Sequence, residues 1–160
     1  MLCLIENPMV SVGIQKGGAR MKLSTRGKYG LYAMIYLAQH AGEGPQSLKA
    51  IAGVGVPDSY LEQLLGSLRR AGLVTTVRGA QGGYQLARSP DEITARHIIE
   101  AMEGPLNLSE CVGEQENVCP RGSHYCAARG LWAYLTDEIN GLLSSITLTD
   151  MVNQNIKGEM

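Results

Sequence analysis

Apolar positions recur at intervals of three and four through most of the chain, interrupted once by two short strand-like runs. In "STRGKYGLYAMIYLAQHAG" Tyr29, Tyr32, Ala33, Tyr36 and Leu37 fall at helical spacing. This predicts a helix opened by Ser24 or Thr25 and ended by Gly42, Gly44 and Pro45. "SLKAIAGVGV" predicts a short second helix from Ser47, with a turn at Gly53 and Gly55. "PDSYLEQLLGSLRRAG" predicts a third, with Leu61, Leu64, Leu65 and Leu68 on one face and Ser59, Gln63, Gly66 and Arg70 on the other. Ser59 and Glu62 have the spacing of a capping box at its start, and Gly72 suits its end. "LVTTVRGAQGGYQLAR" reads as two strands around a glycine-rich turn. Thr94 opens a fourth helix in "ITARHIIEAMEG", and "AARGLWAYLTDEINGLLSSI" is a long fifth with Leu131, Leu135, Ile139, Leu142, Leu143 and Ile146 on one stripe.

The fold class that follows is mainly α with a small β-hairpin wing. A winged helix-turn-helix domain is expected over 21–88, and a cysteine loop with a long dimerisation helix over 89–160. An apolar stripe of that length, with little chain left to cover it, favours a homodimer. Met21 restarts the chain with a helix-start signal, so 1–20 is read as an upstream or non-native extension, and Cys3 within it carries no weight.

Charge adds a direction. From Lys22 to Arg88 eight basic residues face three acids, whereas from 89 onward eleven acids face four basic residues. The first half is therefore suited to a polyanion, with a solvated basic face as the plainer alternative. The polar outer face of the third helix has the geometry of a major-groove reader of double-stranded promoter or operator DNA. Arg78 sits at the wing tip, where a minor groove or phosphate is met. Lys28, Arg69, Arg70 and Arg78 are candidates for phosphate neutralisation.

The apolar start "MLCLIENPMVSV" is broken by Glu6, Asn7 and Pro8, and no stretch reaches membrane-spanning length. A cytoplasmic protein with reduced thiols and no membrane partner is expected. Three of the four cysteines lie in "CVGEQENVCPRGSHYC" as C-x7-C-x6-C. That spacing is not the paired C-x2-C of structural zinc sites. Three thiolates can hold one centre but leave a position open, for which His124 or the acids Glu110, Glu114 and Glu116 are candidates. The chemistry ranks an iron–sulfur cluster first, zinc second and a thiol switch third.

"MKLSTRGKYGLYAMIYLA", "SYLEQLLGSLRRAGLVTTVRGAQGGYQLA", the three-cysteine loop, "LWAYL" and "SITLTDMV" together resemble the Rrf2 family of bacterial regulators, most closely its iron–sulfur cluster sensors. The likeness runs from Met21 to about Val152. It implies a dimeric winged-helix regulator, read here as a repressor, whose cluster state controls promoter choice. By that resemblance Cys111, Cys119 and Cys126 are the cluster thiolates, with 2Fe–2S ranked ahead of 4Fe–4S. Ser59, Tyr60, Glu62 and Gln63 face the major groove, with Glu62 acting as a selector between classes of site, and Arg78 serves the wing.

The cluster-sensing pattern has a histidine three residues after the last cysteine, where this chain has Arg129. A nitric-oxide-sensing relative takes a carboxylate from the first helix, where this chain has Lys28. Other relatives lack the cysteine loop and respond through a partner enzyme of cysteine synthesis. An enzymatic role is not expected: "RGAQGG" is explained by a hairpin, and His40 and His97 fall in helical stretches.

Overall fold

The computed structural model describes residues 24–53, 56–112 and 126–156. The 1–20 extension, Cys119, His124, Glu114 and Glu116 lie outside the described residues.

Helix α1 spans Thr25–Gln39, and the Ser24 hydroxyl accepts from the Gly27 amide at 3.2 Å. Its buried face is Gly27, Gly30, Ala33, Met34 and Leu37. Gly30 lets Met102 lie close over α1, since a Cβ there would stand 2.6 Å from Met102 Sδ and push that side chain aside. Helix α2, Leu48–Ala52, is capped by Ser47 in the same manner.

Helix α3 runs Asp58–Arg70 and buries Leu61, Leu64, Leu65 and Leu68. Its start corrects the expected capping box. The N-cap is Pro57, without a side-chain bond, and the Tyr60 and Leu61 amides donate to the Pro57 carbonyl at 3.0 and 2.9 Å. Ser59 is therefore already inside the first turn, and Ser59 and Glu62 do not straddle the boundary. Asp58 supplies the negative charge that the helix N-terminus favours. At the other end Gly72 takes φ +70°. The Gly72 amide donates to the Arg69 carbonyl and the Leu73 amide to the Leu68 carbonyl, a Schellman closure that turns the chain into the wing.

The wing is β1, Val74–Val77, paired antiparallel with β2, Gly83–Leu86, with Val74 opposite Leu86. Reciprocal 2.8 Å bonds between Gln46 and Tyr84 tie it to the segment before α2. Gly83 makes that approach possible, because a Cβ there would collide with the Gln46 carbonyl.

Helix α4, Ala95–Glu103, has a capping box in which the Thr94 hydroxyl accepts from the His97 amide and His97 Nδ1 from the Thr94 amide. A 3-10 turn over Glu110–Val112 follows, then α5, Ala127–Ser145, and α6, Leu148–Val152. The chain leaving α5 rejoins the start of α4 through bonds from Ala95 N to Ile146 O and from Leu148 N to Ile93 O.

One core joins these elements: Met34, Ile51, Leu65, Val74, Ile98 and Leu148 belong to a single buried cluster. The architecture is mainly helical with a hairpin wing, as the periodicity implied. Helix α5 stands apart. Thr136 is its buried residue, while Leu131, Trp132, Tyr134 and Leu142 are exposed. No helix among the described residues is long and apolar enough to cross a membrane.

Candidate nucleic-acid interface and thiol site

Because the four leucines of α3 all point into the core, the residues between them are turned outward. Ser59, Glu62, Gln63 and Arg70 are exposed, and with the half-buried Tyr60 they line an open groove of about 660 Å³. The Tyr60 ring meets Tyr29 edge-to-face at 6.3 Å, which fixes it against α1. Lys28 and Arg78 are exposed but do not line this groove: Lys28 is on α1 and Arg78 lies just beyond β1, beside Gly79 at φ +120°.

Two groove residues were missed in the sequence. Ser67, 6% exposed, lies on the wall, and Arg26 reaches it from α1. Ser67 falls among the leucines in the helical pattern, and Arg26 is 41 residues away. No local spacing could link them.

The second site lies where α4 runs out toward α5. The Cys111 Sγ is 3.1 Å from the Ser109 hydroxyl, and Arg129 Nε donates to the Cys111 carbonyl at 3.2 Å. Cys126 is the N-cap of α5 and, with Val112, Arg129, Gly130, Ala133 and Asp137, lines a cavity of about 490 Å³. Both thiols are half-buried. Among the described residues no three His, Cys, Asp or Glu side chains gather around one point. His40 and His97 are committed elsewhere: His40 stacks on Tyr36 with Nδ1 2.9 Å from its carbonyl, and His97 caps α4.

Two sets of hydrogen bonds, joined by a short stretch of chain, lie between α5 and the start of α1. Helix α5 holds the segment after α4 through Thr136, whose hydroxyl accepts from the Leu108 amide, and Asn140, which donates to the Leu106 carbonyl. At the last turn of α4 the Glu103 carboxylate accepts from the Gly27 amide at 3.0 Å and from the Ser24 hydroxyl. The end of α4 thus caps the start of α1.

The comparisons agree on one family. A sequence model of Rrf2, described as an iron-dependent transcriptional regulator, matches residues 23–154. The HTH-type transcriptional regulator CymR of Bacillus subtilis is 46% identical over 134 residues, covering 83% of this chain and 91% of its own. Its solved structure, titled as that of the global cysteine regulator, superposes with a TM-score of 0.69 over 84% of this chain and 98% of that one. The regulator IscR of Photorhabdus laumondii is 40% identical over 134 residues, 83% of this chain and 80% of its own. The structure of T. potens IscR, 43% identical, gives a TM-score of 0.68 over 90% and 95% of the two chains. The likeness extends over the winged helix, α4, α5 and α6 alike, and these relatives are regulators rather than enzymes. The chain belongs to the Rrf2 family of DNA-binding transcription regulators.

Proposed function

We propose that the chain binds operator DNA as a homodimer in the cytoplasm and represses according to the state of an iron–sulfur cluster held by Cys111, Cys119 and Cys126. One observation carries the sensing part. Cys111 lies in the turn after α4 and Cys126 at the start of α5; α5 holds Leu106 and Leu108 through Asn140 and Thr136, and three residues back along the chain Glu103 bonds to the first turn of α1. Constraining the thiols therefore bears on the helix that backs the groove.

The donor chemistry fits such a cluster. Two half-buried soft donors stand at the loop ends, and a cavity opens beside Cys126. When bound, the cluster supplies iron–thiolate bonds, sensitive to oxidation and nitrosylation, that tie the loop to the start of α5. Arg129 occupies the position of the histidine ligand in cluster-sensing relatives and cannot ligate. The fourth ligand is then His124, a nearby carboxylate, of which Asp137 lines the cavity, a small thiol or water. A 2Fe–2S cluster remains ranked ahead of 4Fe–4S.

On the DNA side Ser59, Tyr60, Glu62 and Gln63 face the major groove, Arg78 serves the wing, and Lys28 and Arg70 meet phosphates. A carboxylate accepts from a cytosine amino group and repels other edges, so Glu62 filters sites. The exposed apolar side of α5 joins two copies, which sets half-sites of a palindrome on the order of one or two helical turns apart.

The test is purification without oxygen. The expected result is a coloured protein containing iron and sulfide, bleached by Cys111→Ala or Cys126→Ala with unchanged helical circular dichroism. A colourless protein with one zinc per chain, binding DNA equally well after chelation, overturns the sensor. A second reading, a thiol switch without a cluster, is favoured by Arg129 and by the likeness to a cysteine regulator. It requires DNA affinity that falls with diamide and recovers with dithiothreitol in iron-free protein.

A further inference from the structure

Two arginines from different elements converge on one buried hydroxyl. Arg26 Nη2, from the first turn of α1, donates to Ser67 Oγ at 2.7 Å, and Arg70 Nη2, one turn further along α3, donates to the same oxygen at 2.8 Å. The hydroxyl's own hydrogen goes to the Gln63 carbonyl at 3.3 Å. Its two lone pairs are thus taken by the two guanidinium groups, and its bonding capacity is used up.

The arrangement brings like charges together with no counter-ion among the described residues. No carboxylate among the described residues stands within 4.0 Å of either guanidinium. Glu62 lines the same groove but does not pair with them. Glu103, the carboxylate at that end of α1, is engaged by Gly27 and Ser24. Each guanidinium uses one N–H on Ser67 and is itself exposed. Several N–H donors therefore remain on each, on the wall of the groove that Gln63 and Glu62 also line. Paired guanidinium groups with free donors suit a tetrahedral oxyanion bound by both at once.

We propose that Arg26 and Arg70, seated on Ser67, form a clamp for a single phosphodiester of double-stranded DNA. This rests on the DNA-binding reading above and adds Arg26 and Ser67 to it. The clamp fixes where α3 lies along the backbone and is indifferent to base sequence. Its two cations share one phosphate, unlike cations that each neutralise their own.

The shared phosphate gives a distinctive salt signature. The slope of log affinity against log salt counts phosphates neutralised, at about 0.9 per phosphate. Full-length protein is titrated by fluorescence anisotropy against an A·T-rich and a G·C-rich duplex across a potassium chloride series. Arg26→Gln and Arg70→Gln should each weaken both duplexes about equally and leave the slope unchanged, because one cation still covers the phosphate. The double variant should lower the slope by about 0.9. Ser67→Ala, which keeps both charges but removes their seat, should weaken both duplexes at unchanged slope, with circular dichroism showing retained helix.

Slopes falling by about 0.9 in each single variant and twice that in the double overturn the shared clamp in favour of two separate contacts. A double variant with wild-type affinity and slope makes the cluster structural only. Inorganic phosphate that binds the wild type but not the double variant, while the two bind duplex equally well, reassigns the seat to a free anion. Absence of salt-dependent duplex binding in the wild type itself would instead remove the DNA-binding reading on which the clamp rests.

Discussion

Helices α3 and α5 carry similar leucine-rich stripes, and the fold treats them oppositely. On α3 Leu61, Leu65 and Leu68 are fully buried. On α5 Leu131 and Leu142 remain 53% and 58% exposed, beside Tyr134 at 60%. The first helix is enclosed by α1, α2, α4 and β1, whereas the second packs on α4 and the 3-10 turn. What α5 turns to the body is polar, through Thr136 and Asn140. A helix so placed is held by a few directional bonds and leaves Leu131, Tyr134 and Leu142 exposed. The same periodicity therefore marks a core in one case and an exposed apolar face in the other, and the number of neighbouring elements decides which.

The contrast is broken most directly by truncating one leucine of each stripe. Leu65→Ala should cost about 2–5 kcal/mol, through lost transfer energy and a residual cavity, as read by urea denaturation. Leu142→Ala should stay within about 0.5 kcal/mol at protein concentrations where the chain is monomeric. Equal losses would mean that α5 is as enclosed as α3. The complementary variant Leu142→Glu should shift the sedimentation profile toward monomer while leaving the monomer's melting unchanged.

Next in size is the wing. Gly83→Ala pushes backbone against the Gln46 carbonyl, where no flexible side chain can yield. A loss of about 1–3 kcal/mol is expected, with exchange protection at the Tyr84 amide falling first. Glu103→Ala removes an exposed carboxylate from the α1 amide and hydroxyl and should cost about 1 kcal/mol. In the same variant, a loss of the DNA affinity difference between cluster-loaded and cluster-free protein would sharpen the comparison by linking the α5 side to the α3 side. The smallest stability effect belongs to Glu62→Ala, within about 0.5 kcal/mol, since Glu62 is inside α3 rather than part of a cap. Its readout is a broadened set of bound duplexes. A clear drop in melting temperature with unchanged preference would return Glu62 to a structural role.

Much of this was legible without coordinates. Helical spacing, the Ser24, Ser47 and Thr94 caps, Gly72 and the glycine-rich turn are local features, set by hydrogen bonding and backbone freedom within a few residues. They set the order of α1 to α5 with the wing between α3 and α4, and the outward face of α3, but not the 3-10 turn or α6. The start of α3 lies two positions before the expected cap, because Ser59 and Glu62 carry the right spacing for a cap while Pro57 is the residue that caps the helix. Two spacings competed within one turn, and only the backbone path chose between them. The clustering of three cysteines was equally visible, and the chemistry it permits follows from residue type.

Tertiary structure alone decided what depends on distant residues meeting. The meeting of Arg26 and Arg70 on Ser67 needs α1 laid against α3. The Glu103 cap needs the end of α4 returned to the start of α1, and Gly30 matters only because Met102 comes to lie over it. Sequence periodicity reports which side of a helix is apolar. It is silent on what covers that side, because the cover comes from elements tens of residues away whose approach is set by packing of the whole core.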